Sequence, residues 1–379
     1  MAKSGRRAWG LDDIAIVPSR RTRDPEDIDL TWQLDAFTFE IPMMASAMDS
    51  AVSPATAKEI GRLGGLAVLN LEGLWTRYED PTPVYEEIAS LPKEKATRRM
   101  QELYLQPVDP ELITRRVAEM KEAGIVTAGS LTPQHVERYV DAAKAGGLDV
   151  LVIQGTVVTA EHVSTRVEPL DLYRFIREIE MPVIVGGCAS YAGALHLMRT
   201  GAVGILVGVG PGAACTTRGV LGIGVPQATA IADAAGARIR YLEESGRYVH
   251  VIADGGMRTG GDIAKAIAVG ADAVMLGSPI AAAEEAPGRG FHWGMATFHP
   301  ELPRGSRVEV GRLGTLREIL LGPAHENDGR RNLFGGLRGA MAATGHANLK
   351  EFQKAEVMVA PALQTEGKQL QRSQQVGMG

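Results

Sequence analysis

Apolar residues cluster along the chain in short runs, and the stretches between them have the three- and four-residue spacing of amphipathic helices. Most runs are apolar at every position rather than at alternate positions, which is typical of strands buried on both faces of a parallel sheet. Strands are predicted at residues 41–46, 66–70, 124–128, 149–154, 181–186, 203–208, 249–254 and 273–277. Helices are predicted at residues 54–63, 110–123, 132–146, 169–180, 191–200, 225–245 and 261–269.

Repeated strand–helix units of this kind predict the α/β class and a (β/α)8 or TIM barrel. A doubly wound Rossmann sheet is the alternative, but it would place a glycine-rich turn after its first strand, where residues 47–50 read Ala-Met-Asp-Ser. Two segments do not fit the repeat: residues 71–108, which we call the insert, and residues 287–332, which we call the flap and expect to be mobile. We expect one barrel domain over residues 1–379, with a flexible tail at 368–379.

The amino-acid composition limits the kinds of binding partner and the cellular compartment that we expect. With 45% hydrophobic residues, 22% charged residues and a formal net charge of −5, the chain can build a large core but has no basic stripe for a nucleic-acid backbone. No apolar run approaches the roughly 20 residues that span a bilayer, and no secretory h-region follows the basic start. Two cysteines, Cys188 and Cys215, are too few for a disulfide framework or a structural zinc site. We expect a reduced cytoplasmic enzyme that binds neither nucleic acid nor membrane.

Glycine and polar residues follow the last two predicted strands. Asp254, Gly255 and Gly256 come after the seventh strand, and Gly277 and Ser278 come after the eighth. In a barrel these positions lie at the carboxyl ends of the strands, where active sites form and where glycines let backbone N–H groups approach a phosphate. One Gly-Gly pair is more often a plain turn, but two such signals on adjacent strands predict a phosphate site. Asp254 is placed to accept hydrogen bonds from a ribose diol.

A glycine-rich loop at residues 208–224 follows the sixth strand and has no apolar periodicity, so Cys215 is not expected to be a packing residue. The residues that follow it, and that favour a reactive thiolate, are Thr216, Thr217 and Arg218. The backbone carbonyls that could surround a monovalent cation are those of Gly210, Gly212 and Cys215. Cys188 follows the fifth strand and faces the predicted site, although a small wall residue is the better interpretation of it.

Several segments together match the pattern of one enzyme family. They are residues 10–18, 45–50, 208–224, 225–231, 251–256, 274–278, 284–288 and 335–341, which spread over nearly the whole chain. The loop Pro211-Gly-Ala-Ala-Cys-Thr-Thr-Arg218 and the segment Ile252-Ala-Asp-Gly-Gly256 are specific to that family. On these residues the chain resembles IMP dehydrogenase and GMP reductase, enzymes that interconvert purine nucleoside monophosphates through a covalent cysteine adduct.

The resemblance implies roles for individual residues. Cys215 resembles the nucleophile that adds to purine C2, and Thr217 resembles the threonine that handles the water or leaving group. The implied nucleotide contacts are Ser46, Met48, Asp254 at the ribose, Gly255, Gly256, Gly277 and Ser278 at the phosphate, Gly294 and Met295. The implied cofactor contacts are Gln154, Cys188 and Gly208, and the implied potassium ligands are the carbonyls of Gly210, Gly212 and Cys215.

The reaction that the resemblance implies has two halves. The Cys215 thiolate attacks C2 of IMP, hydride passes from C2 to NAD (or NADP), and the adduct is hydrolysed to XMP. Run backwards with ammonia departing instead of water, the same adduct chemistry reduces GMP to IMP with NADPH. The resemblance further implies a homotetramer whose ligand is IMP, XMP or GMP.

The chain also departs from the family pattern. The insert is too short for the regulatory pair of CBS modules that usually follows strand two. No tyrosine occurs after Tyr248, so the flap lacks the Arg-Tyr pair with which dehydrogenases hydrolyse the adduct. The flap arginines left as candidate bases are Arg304, Arg307 and Arg312, and Arg304 stands where reductases have a glutamate. A strand-four aspartate, an asparagine after strand five and a loop serine near the phosphate are replaced by Gln154, Cys188 and Ala213.

Three hypotheses follow from these matches and departures. The first is a divergent IMP dehydrogenase without CBS modules, with a flap arginine as the base. The second is a GMP reductase, against which the missing flap glutamate counts. The third is a nucleotide-binding paralogue with weak or no turnover, against which the retained Cys215 and Thr217 count because a pure binder gains little from a reactive thiol. The sequence favours the first.

Overall fold

Eight parallel strands form a closed barrel in chain order, and the last strand pairs back to the first. The computed structural model describes residues 5–165, 168–294, 306–361 and 368–374. The strands before the barrel are β1 (Ile14–Ile16), β2 (Trp32–Leu34) and β3 (Phe37–Phe39). The barrel strands are β4 (Met43–Ala45), β5 (Leu66–Asn70), β6 (Ala128–Leu131), β7 (Val150–Gln154), β8 (Val183–Cys188), β9 (Gly204–Val207), β10 (His250–Asp254) and β11 (Ala273–Leu276). The strands after it are β12 (Phe291–Trp293), β13 (Arg307–Glu309) and β14 (Val357–Val359), the last of which pairs with β1.

Helices cover the outside of the barrel between successive strands, and this arrangement confirms the predicted TIM barrel. The helices before β9 are α1 (Pro54–Arg62), α2 (Thr82–Ser90), α3 (Lys93–Leu103), α4 (Pro110–Lys121), α5 (Val136–Ala145), α6 (Leu172–Glu178) and α7 (Tyr191–Arg199). Those between β9 and β12 are α8 (Thr217–Leu221), α9 (Gln227–Ser245), α10 (Gly260–Ala268) and α11 (Ser278–Ala281). Those near the end of the chain are α12 (Leu316–Leu321), α13 (Leu333–Ala343), α14 (Leu349–Phe352) and α15 (Lys368–Ser373).

The barrel strands are buried on both faces, which explains why the sequence shows continuous rather than alternating apolar runs. Close approach of neighbouring strands requires glycine at one point in particular. A Cβ on Gly186 of β8 would lie 2.4 Å from the Cβ of Leu206 on β9. Among the described residues, none of the helices has the length and apolar character needed to cross a bilayer.

The third strand begins later than predicted. The apolar run at residues 124–128 suggested a strand there, but β6 starts only at Ala128. Gly124 has φ +72° and ends the turn after α4, and the Ile125 side chain packs against Gly61 of α1, where a Cβ would lie 2.5 Å from it. Ile125 therefore belongs to the packing between helices, so its apolar character does not mark a barrel strand.

The insert and the described part of the flap pack against each other and form a second, smaller core. The buried residues of this core are Leu74, Val84, Tyr85, Ile88, Met100, Leu103, Tyr104 and Trp293. The insert contributes α2 and α3, and the flap contributes the antiparallel hairpin of β12 and β13. The described residues of the flap include this hairpin and α12, and those of the tail include α15.

The end of the barrel opposite the predicted site is held by a buried carboxylate. Asp272 accepts hydrogen bonds from Arg238 Nη1 at 2.7 Å, Lys350 Nζ at 2.5 Å, Tyr248 Oη at 2.6 Å and the Val251 N–H at 2.8 Å. Burial alone would raise its pKa, but Arg238 and Lys350 hold the pKa of Asp272 well below its usual range. Asp272 therefore stabilises the fold at neutral pH, and that contribution is lost only in strong acid.

We expect Asp272→Asn to lower the free energy of unfolding by roughly 3–5 kcal/mol, because it leaves the buried Arg238 without its counter-charge. The exposed pair of Arg174 and Glu178 provides the control, since Glu178→Gln should change stability by less than about 0.5 kcal/mol. Urea unfolding at pH 7 measures both variants. Equal stability of Asp272→Asn and Glu178→Gln would contradict the assignment of Asp272 as a stabilising centre.

Candidate active site

A cavity of about 240 Å³ opens at the carboxyl ends of the barrel strands. Most of the residues singled out from the sequence line it. They are Ser46, Met48, Gln154, Gly208, Gly210, Gly212, Cys215, Thr217, Asp254, Gly255, Gly256, Gly277, Ser278 and Gly294. Met295 and Arg304 lie outside the described residues, and Cys188 is not among the residues that line the cavity. The fold thus brings together side chains and glycines that are up to 248 positions apart, from Ser46 to Gly294.

Cys215 stands at the tip of the loop after β9, and its side chain is exposed. The loop turns tightly there, because the Cys215 N–H donates to the Gly212 carbonyl at 3.0 Å. Thr217, the buried first residue of α8, accepts a hydrogen bond from the Cys215 thiol with a sulfur-to-oxygen distance of 3.2 Å. The arrangement presents a thiol to the cavity with a hydroxyl beside it, as a nucleophile and a group that positions water or a leaving group require.

Arg218 holds the two ends of this loop together and does not contact the thiol in the described structure. Its guanidinium donates to the Val209 carbonyl at 3.3 Å and to the Val225 carbonyl at 2.7 Å. The Arg218 side chain passes between Gly210 and Gly224. A Cβ added to Gly210 would lie 2.5 Å from Arg218 Cγ, and one added to Gly224 would lie 2.7 Å from it. The sequence suggested that Arg218 favours a thiolate, whereas the structure gives it the task of fixing the loop.

Asp254 ends β10 inside the cavity and is half-buried in the barrel mouth. Burial raises the pKa of its carboxyl to about 7, and a hydrogen bond from Gln154 Nε2 at 3.3 Å opposes the shift. Gln154 Oε1 is buried and has no hydrogen-bond partner among the described residues. Two acceptors, the carboxylate of Asp254 and the amide oxygen of Gln154, are therefore available to hydroxyl groups of a ligand.

The glycines after β10 and β11 form the other side of the cavity. Gly255 and Gly256 have φ values of +80° and +82°, which side chains rarely adopt, and they turn the chain against Pro211 of the cysteine loop. In the described part of the chain, the N–H groups of Gly256, Gly277 and Ser278 donate to no carbonyl. Free N–H groups on glycine turns are what a phosphate binds.

Cys188 corrects one expectation about the site. It is the last residue of β8, only 4% exposed, and it packs within the hydrophobic core instead of facing the cavity. Burial raises the pKa of its thiol to about 12, so it stays protonated and unreactive at neutral pH. The side chain lies near the start of α7, because a Cβ on Gly193 would be 3.8 Å from the Cys188 Cβ.

Backbone carbonyls of the cysteine loop are the predicted ligands of a monovalent cation. The carbonyl oxygens of Gly210 and Cys215 accept no hydrogen bond among the described residues, while that of Gly212 accepts one from the Cys215 N–H. Gly210 has φ +79°, so its carbonyl direction depends on a backbone conformation that glycine allows. Two carbonyl oxygens of the described loop are therefore available to a cation.

His292 lines the cavity and was missed by the sequence interpretation. It lies on β12 of the flap, next to a segment whose predicted site residue was Gly294, and its only sequence signal was that proximity. It is 3% exposed, and burial lowers the pKa of its imidazole to about 4. A Cβ added to Gly277 would lie 3.2 Å from His292 Nε2 and 3.2 Å from Met48 Sδ. The His292 imidazole therefore lies directly beside the predicted phosphate turn.

The flap hairpin is anchored by the residues on either side of His292 and by Arg307. Trp293 Nε1 donates to Tyr104 Oη at 2.9 Å, and Tyr104 Oη donates to Asp49 Oδ2 at 2.6 Å. Arg307 lies over the Phe291 ring at 4.2 Å and donates to carbonyls at the end of α2. Arg307, a candidate base on the sequence, therefore attaches the flap to the insert and does not reach the cavity.

We expect Trp293→Ala to loosen the hairpin, because it empties part of the second core at a cost of roughly 3–5 kcal/mol. Hydrogen exchange followed by mass spectrometry should show faster exchange at residues 288–294 and 306–311, with the barrel strands unchanged. Trp293→Phe keeps one aromatic ring in the core and loses the bond to Tyr104 with only part of the indole volume, so its effect should be smaller, about 1–2 kcal/mol. Unchanged exchange of the hairpin in Trp293→Ala would show that the second core does not hold it.

Comparisons with known proteins identify the family of this chain. A family model described as IMP dehydrogenase / GMP reductase domain matches residues 8–300. An uncharacterized oxidoreductase of Mycolicibacterium smegmatis is 50% identical over 368 residues, which cover 95% of this chain and 98% of that protein. The inosine-5'-monophosphate dehydrogenase of Cryptosporidium parvum is 29% identical over 381 residues, which cover 91% of this chain and 90% of that enzyme.

Among solved structures, an IMP dehydrogenase/GMP reductase-like protein from Corynebacterium glutamicum superposes with a TM-score of 0.90 at 45% identity, covering 95% of this chain and 96% of that one. The match to the family model covers the cysteine loop, the Asp254 turn and the phosphate turn, which are the parts of the chain that meet at the cavity. The chain belongs to the IMP dehydrogenase / GMP reductase family.

Proposed function

We propose that this oxidoreductase oxidises IMP to XMP with NAD through a covalent adduct on Cys215. The observation that carries the proposal is the meeting of an exposed thiol with Asp254 and with free glycine N–H groups in one cavity. A nucleoside monophosphate has a phosphate for the N–H groups, a ribose for the carboxylate and a purine that can reach the thiol. The adjacent hydroxyl of Thr217 supports a hydrolytic second step.

The chain's residues would act in a fixed order. The Cys215 thiolate adds to purine C2, and Asp254 and the turn at Gly277 hold the ribose and phosphate so that C2 stays over the sulfur. Loss of hydride from C2 leaves the carbon at the oxidation level of XMP, still bonded to sulfur. Water held by Thr217 then attacks C2, the carbon–sulfur bond breaks, the thiolate is restored, and the proton lost by the water passes to solvent. Holding the reacting atoms in position in this way supplies much of the rate enhancement.

The nicotinamide cofactor accepts the hydride when it is bound. The cavity continues from Cys215 past Gln154 to Thr156 and Thr132, and the unpartnered Gln154 Oε1 suits a ribose hydroxyl there. Gly208 lines the cavity, but a Cβ on it would lie 2.1 Å from the Asp254 carbonyl oxygen, so strand packing alone explains the glycine. Gln154 is thus the residue of the proposed cofactor set best suited to a contact, and Cys188 is no longer part of it.

A potassium ion held by the cysteine loop would fix the position of Cys215, and the proposal includes it as an activator. A reducing compartment such as the cytoplasm would keep the Cys215 thiol available. The homotetramer implied by the family resemblance stays part of the proposal, and light scattering of the purified protein tests it by giving the mass of the assembly.

The direction of the reaction is tested with the purified protein in potassium buffer. One sample contains IMP and NAD, and the other contains GMP and NADPH, with absorbance followed at the reduced-nicotinamide band. Growth of the signal in the first sample is the expected result. Decay in the second sample without growth in the first would show a GMP reductase, and no change in either would show a nucleotide-binding protein without turnover.

A further inference from the structure

The orientation of His292 follows from the hairpin that carries it. Phe291 and Trp293 face the second core, so His292 between them faces the opposite side, which is the cavity. Ser50 Oγ lies 2.9 Å from His292 Nδ1 and also accepts from the Trp293 N–H at 3.3 Å. The Trp293 carbonyl lies farther from Ser50 Oγ, at 3.5 Å, so we assign the Ser50 hydroxyl proton to Nδ1. With this assignment the proton of the neutral ring is on Nε2, which faces the Gly277 turn.

The charged side chains that line the cavity make the position of His292 unusual. Among the described residues that line the cavity, none is a lysine or an arginine, and Asp254 is the one carboxylate. A nucleoside monophosphate carries about −1.5 to −2 charges at pH 7 on its phosphate. His292 is the side chain in the described lining that can supply a positive charge to balance it.

Without a ligand His292 is neutral, because burial opposes its charged form and lowers its pKa. The charged groups nearest along the neighbouring segments are turned elsewhere. Glu309 and Arg307 flank Val308, the residue opposite His292 on β13, and the Arg307 guanidinium binds carbonyls of the insert. Asp49, one residue before Ser50, is bonded to Tyr104, and α11, packed against β12, has no titratable residue. A phosphate dianion in the Gly277 turn would be the first charge to act strongly on the ring.

We propose that His292 is the charge-balancing ligand of the substrate's phosphate, and that binding of a nucleoside monophosphate transfers one proton from solvent to its imidazole. The bound pair is then an imidazolium, with Nε2–H donating to a phosphate oxygen and Nδ1–H donating to Ser50 Oγ. The Ser50 hydroxyl can reverse its direction, because the Trp293 carbonyl lies 3.5 Å from it as an alternative acceptor. This inference rests on the proposed function, since it takes a nucleotide as the ligand of the cavity.

When nucleotide binding is coupled to proton uptake, the affinity changes with pH in a defined direction. The imidazolium is stabilised by the dianion, so affinity for the nucleotide should fall as pH rises through the pKa of His292 in the complex. The other titratable groups in the described lining are Asp254 and Cys215. Asp254 is already mostly ionised at pH 8, so its own contribution is small there, and Cys215 is present in both the wild type and His292→Gln, so it does not account for a difference between them. A nucleoside without phosphate offers no charge to the ring and should bind with no uptake at His292.

Isothermal titration calorimetry of the whole protein with IMP tests this without turnover. At pH 8, titrations in two buffers with different ionisation enthalpies give the number of protons taken up. The wild type should take up close to one proton per IMP, and inosine should cause none. His292→Gln keeps a neutral N–H donor near the Nε2 position but cannot be charged, so its uptake should fall close to zero and its affinity about tenfold.

Thermal unfolding of His292→Gln confirms that the variant is folded, and His292→Phe provides a second variant that lacks the donor as well and should bind IMP more weakly still. Equal proton uptake by the wild type and His292→Gln would overturn the proposal, and so would an absence of IMP binding by the folded wild type. A protein that binds IMP with uptake at His292 but turns over neither nucleotide would retain this inference and refute the proposed function.

Discussion

Cys215→Ser should reduce turnover of IMP by roughly 10⁴-fold or more while leaving IMP binding within a few-fold of the wild type. The serine hydroxyl is almost wholly protonated at neutral pH, so it cannot replace the thiolate that adds to C2. The loop should keep its shape, because the bond from residue 215 to the Gly212 carbonyl uses the backbone N–H. Steady-state rates and calorimetry on the same preparation measure the two effects separately.

Cys188→Ala is the matched control for this experiment. Cys188 is the other cysteine of the chain, but it is buried in the core and away from the cavity lining, so its loss should leave the turnover rate unchanged. Turnover by Cys215→Ala at the wild-type rate would contradict the covalent mechanism.

Asp254→Asn should lower kcat/KM for IMP by about 10²–10⁴-fold. The carboxylate is placed to accept two hydrogen bonds from the ribose diol, and each bond to a charged acceptor contributes about 1.5–3 kcal/mol. The amide has one oxygen acceptor and presents an N–H₂ group in place of the second. The loss should appear in KM and kcat together, because the ribose contact also fixes C2 over the thiol.

Ionisation of Asp254 should also make activity and stability depend on pH in a defined direction. Because the carboxyl of unliganded Asp254 has a pKa of about 7, kcat/KM of His292→Gln, in which residue 292 takes up no proton, should fall about tenfold per pH unit below that value. This pKa is raised above that of the unfolded chain, so the stabilising contribution of Asp254 is fully present below about pH 4 and is lost as pH rises through 7.

Asp254→Asn removes this destabilising charge, so its thermal midpoint should exceed that of the wild type at pH 8, with little difference at pH 4. A variant with lower activity but higher stability is the signature of a charge retained for function. A midpoint at pH 8 that is equal to or below that of the wild type would contradict the cost assigned to the buried carboxylate.

The barrel could be predicted from the sequence because each strand is a short, continuous apolar run and each helix has its own periodicity. Prediction failed where an apolar residue packs outside the barrel sheet. Ile125 packs on Gly61 of α1 and does not begin a strand. The site residues after β9, β10 and β11 could be placed because glycines and an aspartate at strand ends are unusual in a packed core.

The remaining parts of the site depend on contacts between distant segments, which no local pattern reveals. Cys188 follows a strand as the other site residues do, but its side chain points toward α7. Arg307 looked like a candidate base, and only the insert, about 216 to 219 positions earlier, explains its actual role. His292 was missed because its function depends on Ser50, 242 positions away, and on the alternation of the flap hairpin.

In the proposed reaction the purine becomes covalently bound to Cys215 during each turnover. A single-turnover experiment with enzyme in excess over IMP and saturating NAD, quenched by acid at successive times, tests it by the intact mass of the protein and of its peptides. We expect a nucleotide mass on the peptide that contains Cys215, which grows before XMP does and then decays as XMP forms. Formation of XMP with the protein mass unchanged throughout, or with the nucleotide on another residue, would contradict it.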